Sequence, residues 1–194
     1  MLLSSRIFTV FTVAVLVAGC GQTTISSNDI RHRVEASRDT VMELGKTLKG
    51  HLQQAMQQGG PVQAIDVCYH KAPEIARELS QKTGWEVRRT SLKPRRTAPD
   101  DWERQVLANF EKRKAAGEPV KKLEYHQITE KNDKAVFRYM KAIETQSVCL
   151  ACHGKNIAPQ VAEKIRQLYP GDQATGFEVG DIRGAFSVTQ SLED

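Results

Sequence analysis

LEYHQI (Leu123–Ile128) and AVFRYMKAI (Ala135–Ile143) are stretches rich in branched and aromatic side chains, parted by the polar EKND of Glu130–Asp133. Residues of that kind suit a pleated surface and the polar insert suits a turn, so the pair reads as a β-hairpin. Trp85–Leu92 before it and Gly180–Val188 after it read as further strands. Helical stretches come first. In Asp29–Gln57, residues such as Val34, Val41, Leu44 and Leu48 recur at spacings of three and four; in Val62–Gln81 the stripe is Ile65, Cys68, Ala72, Ile75 and Leu79. Ser27 or Asn28 is expected to cap the first helix, Gln57–Pro61 to end it, and Pro73 to kink or restart the second. Pro99 and Asp100 open a third helix that carries Trp102, Val106, Leu107 and Phe110 inward, and Pro159–Tyr169 is a short fourth. Helices first, then strands interleaved with short helices and no regular strand–helix–strand alternation, predict an α+β fold around an antiparallel sheet.

At the exit of the hairpin stands Cys149-Leu-Ala-Cys152-His153, closed by Gly154. Two thiols three residues apart lie about one helical turn apart, so both can add across the vinyl groups of one porphyrin, and the histidine that follows is placed to bind its iron. The alternatives are a structural zinc site and a redox dithiol. Zinc of the ribbon type needs a second Cys-x-x-Cys pair, which the sequence lacks, and a thioredoxin-like dithiol opens a helix directly after a strand, whereas this one follows Gln146, Ser147 and Val148.

The N-terminus reads as an address. Arg6 precedes a twelve-residue apolar run, Ile7–Ala18, which is too short to span a bilayer. Leu16-Val-Ala-Gly-Cys20 looks like the lipobox of a bacterial lipoprotein, and the resemblance implies cleavage before Cys20 and acylation there, with two or three chains giving a lasting anchor. The expected organisation is a signal peptide over 1–19, a lipidated tether over 20–28 and one domain over 29–194. Localisation is then the periplasmic face of a bacterial membrane; Gly21 after the cysteine favours the outer over the inner membrane by analogy with lipoprotein sorting. The net charge of +5 is spread among 23 acids and is no footprint for nucleic acid. Of the four cysteines, lipid takes Cys20 and haem takes Cys149 and Cys152, which leaves Cys68 without a disulfide partner.

Several separate stretches resemble one family, the single-haem, PAS-like c-type domains of exported bacterial proteins. They are CYHKAPEIA (Cys68–Ala76), RTSLK (Arg89–Lys93), PDDWE (Pro99–Glu103), FRYMK (Phe137–Lys141), CLACHG (Cys149–Gly154), YPGDQATGF (Tyr169–Phe177) and GDIRGAFSV (Gly180–Val188). The resemblance implies a PAS-like antiparallel sheet behind long N-terminal helices, one covalent haem c, His153 as one axial ligand of the iron and the Cys68 thiolate as the other. The chain departs from the family at Arg95-Arg96-Thr97, where an Arg-Asn-Pro-type loop is usual.

For the sixth iron position Cys68 competes with His70, Met56, Met140 and His126, and its alternative fate is that of a small buried hydrophobe. Haem propionates want cations, and Arg88, Arg89, Lys93, Arg95 and Arg183 are the candidates; Arg183, between Gly180 and Gly184, stands first. The function expected is a membrane-anchored haem-binding module that senses redox state or a diatomic gas and acts through a periplasmic or membrane partner. A low-potential one-electron carrier is the alternative. A peroxidase-like enzyme ranks last, because a ligating Cys68 closes the position it would need open.

Overall fold

The computed structural model describes residues 25–192. Helix α1 spans Ser27–Asp66 and passes through a kink at Gly59 and Gly60, whose backbones are not helical. A π-helical segment, Val67–Lys71, leads into α2, Ala72–Thr83. Then come β1 (Glu86–Thr90), α3 (Asp101–Ala115), β2 (Glu124–Lys131), β3 (Lys134–Glu144), a one-turn α4 (Leu150–His153), α5 (Pro159–Leu168) and β4 (Ile182–Ser191). The strands form one antiparallel sheet in the order β1-β4-β3-β2. The fold is therefore α+β, with long N-terminal helices and an antiparallel sheet. Among the described residues no helix is long and apolar enough to cross a membrane. The expected signal peptide and the expected acylation site Cys20 lie outside the described residues.

Local chemistry accounts for the element ends. Ser26, not Ser27 or Asn28, caps α1: its hydroxyl accepts from the Asp29 amide at 3.1 Å while Asp29 reaches back to the Ser26 amide, so the stretch expected as tether is already helical from Ser27. The hairpin turn is tighter than expected, with Asn132 (φ 52°) and Asp133 (φ 60°) both in the left-handed region that a two-residue connection demands. Asp100 caps α3 by the same reciprocal device, its Oδ1 accepting from the Glu103 amide at 2.8 Å. Pro73 restarts the second helical stretch, as expected. It sits at the start of α2, directly after the π-helical turns.

Alternation along the strands divides the sheet into two faces. Phe137, Tyr139 and Val188 meet Val34 and Val41 of α1 on one face, and Val87 joins Leu44, Leu48, Ile75 and Leu79 of α1 and α2 beside them. Met140, Ala142 and Ala185 meet Val106, Leu107 and Phe110 of α3 on the other. Burial on both sides explains why Val136–Met140 contains no exposed residue although Arg138 lies in it. Arg138 stacks 4.1 Å over Trp102 and pairs with Asp100 at 2.7 Å. Across the sheet, Tyr139 donates to Glu124 at 2.8 Å, and Arg38 of α1 holds the Glu124 carboxyl down at about 2.

One irregularity matters for the site. Ile143 pairs with Gly184 and Glu144 with Ile182, so Arg183 is left over as the extra residue of a bulge. Gly184 adopts φ +156°, and a Cβ there would meet the Thr90 carbonyl oxygen at 2.3 Å. Gly184→Ala is expected to lower stability by about 2 kcal/mol through this overpacking, read as a lower urea midpoint at unchanged slope.

Candidate functional site

The one-turn helix α4 ends the path out of β3. A 3-10 turn, Ser147–Cys149, runs straight into it, so Cys149, Cys152 and His153 project from barely two turns of backbone. Gly154 stops the helix in extended conformation, and a Cβ there would lie 2.7 Å from the Leu150 carbonyl. All three side chains line a cavity of about 560 Å³ whose other wall is built from Leu48, Leu52, Ile65, Cys68 and Ala72. The sheet closes it with Arg89, Ile143, Arg183 and Gly184. That size, with apolar walls edged by several arginines, suits a small organic cofactor.

His153 is held in one tautomer. Its Nδ1 lies 2.7 Å from the Ala174 carbonyl, which can only accept, so Nδ1 carries the proton and Nε2 keeps its lone pair. Burial, helped by Arg183 and Arg95, pushes its pKa well below the ordinary histidine value, so the ring is neutral at pH 7. Donation to a backbone carbonyl is how a metal-binding imidazole is commonly oriented. The loop that supplies Ala174 is fastened back to the same turn, with the Phe177 amide donating to the His153 carbonyl at 3.0 Å and the Gly176 amide to that of Gly154 at 3.0 Å.

Cys149 and Cys152 carry free thiols, both half-buried. Burial pushes Cys152 up to about 11, the reverse of the activation a redox dithiol needs. Among the described residues no group of three or more His, Cys, Asp or Glu side chains converges as a metal site, so these thiols lack the further ligands a zinc centre requires. A porphyrin brings four nitrogens of its own and asks only for axial ligands.

Across the cavity, the structure sorts the candidates for the opposing ligand. Cys68 lines the same cavity as His153, half-buried in the π-helical segment. Met140 is fully buried among the residues facing α3, and His70 and His126 are exposed and outside the lining. Met56 alone of the rivals shares the cavity.

The cations sort as cleanly. Arg88 points to the other face of the sheet, donating to Glu103 at 2.5 Å and to the Ala98 carbonyl at 2.9 Å. Arg95 is committed to Asp172, and Lys93 lies outside the lining, its Nζ 3.3 Å from the Thr175 carbonyl. Arg89 and Arg183 remain, lining the cavity with no carboxylate paired to either among the described residues. Arg183 is half-buried with its Nε enclosed and unpartnered, its ring contact being Phe177 at 5.3 Å, and desolvation brings its pKa down to about 10. Burial also lowers the pKa of Arg89. Two desolvated guanidinium groups facing one apolar cavity suit a ligand that is apolar in its body and anionic at one edge. The bulge aims Arg183 there.

Arg95 is a further residue of the site that reading the sequence left among the propionate candidates. Its Nε and Nη2 hold both oxygens of Asp172 at 2.9 Å, and Nη2 also donates to the Cys152 carbonyl at 2.7 Å. It is therefore part of the scaffold that carries the His153 turn.

No curated protein matches this chain. Among solved structures, the crystal structure of the cyanobacterial heme-protein Tll0287 is similar, at 26% identity and a TM-score of 0.64, over 83% of this chain and 96% of that one. The family model Tll0287-like matches residues 23–191, nearly the whole of the described chain. The chain belongs to the Tll0287-like family.

Proposed function

We propose that this chain is a haem protein that carries one covalent haem c in the cavity between α4, the π-helical segment and the end of the sheet. The observation that carries the reading is the convergence on one cavity of Cys149, Cys152, a His153 held with Nε2 free, Cys68, and the unpaired Arg89 and Arg183. The similar heme-protein Tll0287 supports it. Haem supplies a one-electron iron centre and four nitrogen donors when bound. Cys149 and Cys152 are the thioether positions. His153, through Nε2, and the Cys68 thiolate would ligate the iron, and Arg89 and Arg183 would neutralise the propionates.

The N-terminal pattern of Arg6, Ile7–Ala18 and the lipobox-like residues up to Cys20 supports export and lipid anchoring, on the periplasmic face of a bacterial membrane with the outer one favoured. The module then senses redox state or a diatomic gas and acts through a partner in the periplasm or membrane. Carrying single electrons at low potential is the second reading. It is favoured by Cys68 and His153 lining one cavity, since two protein ligands close the iron and thiolate donation stabilises the ferric state. A peroxidase-like activity has less support: among the described residues the cavity lining contains no carboxylate, and no imidazole besides His153 to serve as acid and base.

Maturation with a cytochrome c assembly apparatus is expected to add the mass of one haem that survives denaturation, and Cys149→Ser with Cys152→Ser to abolish the adduct; a denatured chain with no added mass refutes the proposal. Cys68→Ser is expected to keep the adduct and change the ferric absorption and paramagnetic resonance spectra, whereas spectra equal to the parent's rule out the thiolate. Adding CO or NO to the anaerobically reduced protein separates the roles. Rapid ligand exchange supports sensing, and an inert six-coordinate haem with a reversible midpoint supports electron transfer.

A further inference from the structure

The segment that carries Cys68 has an uncommon backbone. Over Val67–Lys71 it winds as a π-helix, the Ala72 amide donating to the Val67 carbonyl five residues back. Such turns are marginal by themselves and concentrate at functional positions. Pro73 adds to the cost, because it has no N–H and so denies the Tyr69 carbonyl the α-helical donor four residues on. A donor arrives from elsewhere in the fold. Arg96, in the loop between β1 and α3, donates from Nη1 to that carbonyl at 2.7 Å and lays its guanidinium 5.0 Å over the Tyr69 ring.

Its neighbour does the same on the opposite wall. Arg95 donates to the Cys152 carbonyl at 2.7 Å and lies 5.6 Å over the Tyr169 ring. The two tyrosines meet edge to face at 5.3 Å, which joins the arginine contacts into one unit. The loop between them is anchored, since the Gln173 amide donates to the Pro94 carbonyl at 3.0 Å and Asp172 pairs with Arg95. Adjacent residues of one loop thus grip both walls of the cavity, one beside each proposed axial ligand.

We infer that Arg95 and Arg96 are positioning residues that set the spacing between Cys68 and His153, Arg96 being the one that holds the Cys68 segment in reach of the iron. The inference rests on the reading of Cys68 as an axial ligand. Neither arginine needs to touch the haem. Arg95 acts through the Cys152 carbonyl and Asp172, Arg96 through the Tyr69 carbonyl, one residue from Cys68.

Exogenous imidazole, which competes for the sixth position of the ferric haem-loaded protein, tests it by titration. Arg96 is exposed, so its replacement is expected to leave the covalent adduct in place. Arg96→Ala is expected to tighten the apparent imidazole Kd about tenfold, which corresponds to losing one hydrogen bond from a charged donor. Arg96→Lys, which keeps a cationic donor, is expected to stay within about threefold of the parent. Cys68→Ser sets the upper limit of tightening. An unchanged Kd in Arg96→Ala, with Cys68→Ser still tightening it, overturns the clamp and leaves thiolate ligation standing. If Cys68→Ser also leaves imidazole binding unchanged, thiolate ligation fails and the clamp falls with it.

Discussion

The buried ion pair between Arg95 and Asp172 is the constraint on which the cavity depends. The side chains are only 7% and 9% exposed, so each charge has lost most of its water. Such a pair is tolerable when its geometry is good and its remaining donors are filled. Both conditions hold: the contact is two-pronged at 2.9 Å, Nη2 goes on to the Cys152 carbonyl, and Asp172 accepts from the Ala174 amide at 2.9 Å. One pair thereby joins three segments that are remote in sequence: the β1–α3 loop, the α4 turn and the loop after α5. It also fixes Ala174, whose carbonyl decides which nitrogen of His153 carries the proton.

Cation placement in the site follows from where carboxylates are available. Arg88 and Arg138, on the α3 face, surround Glu103, which has no exposed surface. Arg89 and Arg183, on the opposite face, have no comparable acid among the described residues. Leaving guanidinium groups desolvated and unpaired lowers the stability of the empty fold, and an anionic ligand would recover it. Departures of this sort from ordinary burial rules concentrate where a protein binds something.

The Cys149–His153 motif was legible because the proposed attachment is local: its two thiols and its imidazole fall within five residues, and spacing alone conveys their placement. The hairpin was legible for the same reason, although Asn132 and Asp133 make its turn tighter and its strands longer than the polar stretch suggested. Cys68 lay on a readable stripe, but a stripe says only that a residue faces inward. What it faces depends on how α1 and α2 lie against α4. Met56 and Met140 looked equivalent in the sequence and differ entirely in place, one at the cavity and the other beneath α3.

Local signals in the chain determined the α+β class, the strands to within a few residues, and the Cys149–His153 turn as the proposed haem-binding segment, whereas α1 runs to Asp66 and α2 begins only at Ala72. Each of these depends on propensity, periodicity or spacing between neighbours. Tertiary structure alone decided that β4, last in the chain, lies between β1 and β3, and that a bulge turns Arg183 toward the cavity. It also decided that Arg88 and Arg89 serve opposite faces and that Arg95 and Arg96 grip walls contributed by distant segments. Those outcomes come from long-range pairing and from the need of buried charges and orphaned carbonyls to find partners, and a partner many residues away leaves no periodic trace in the sequence.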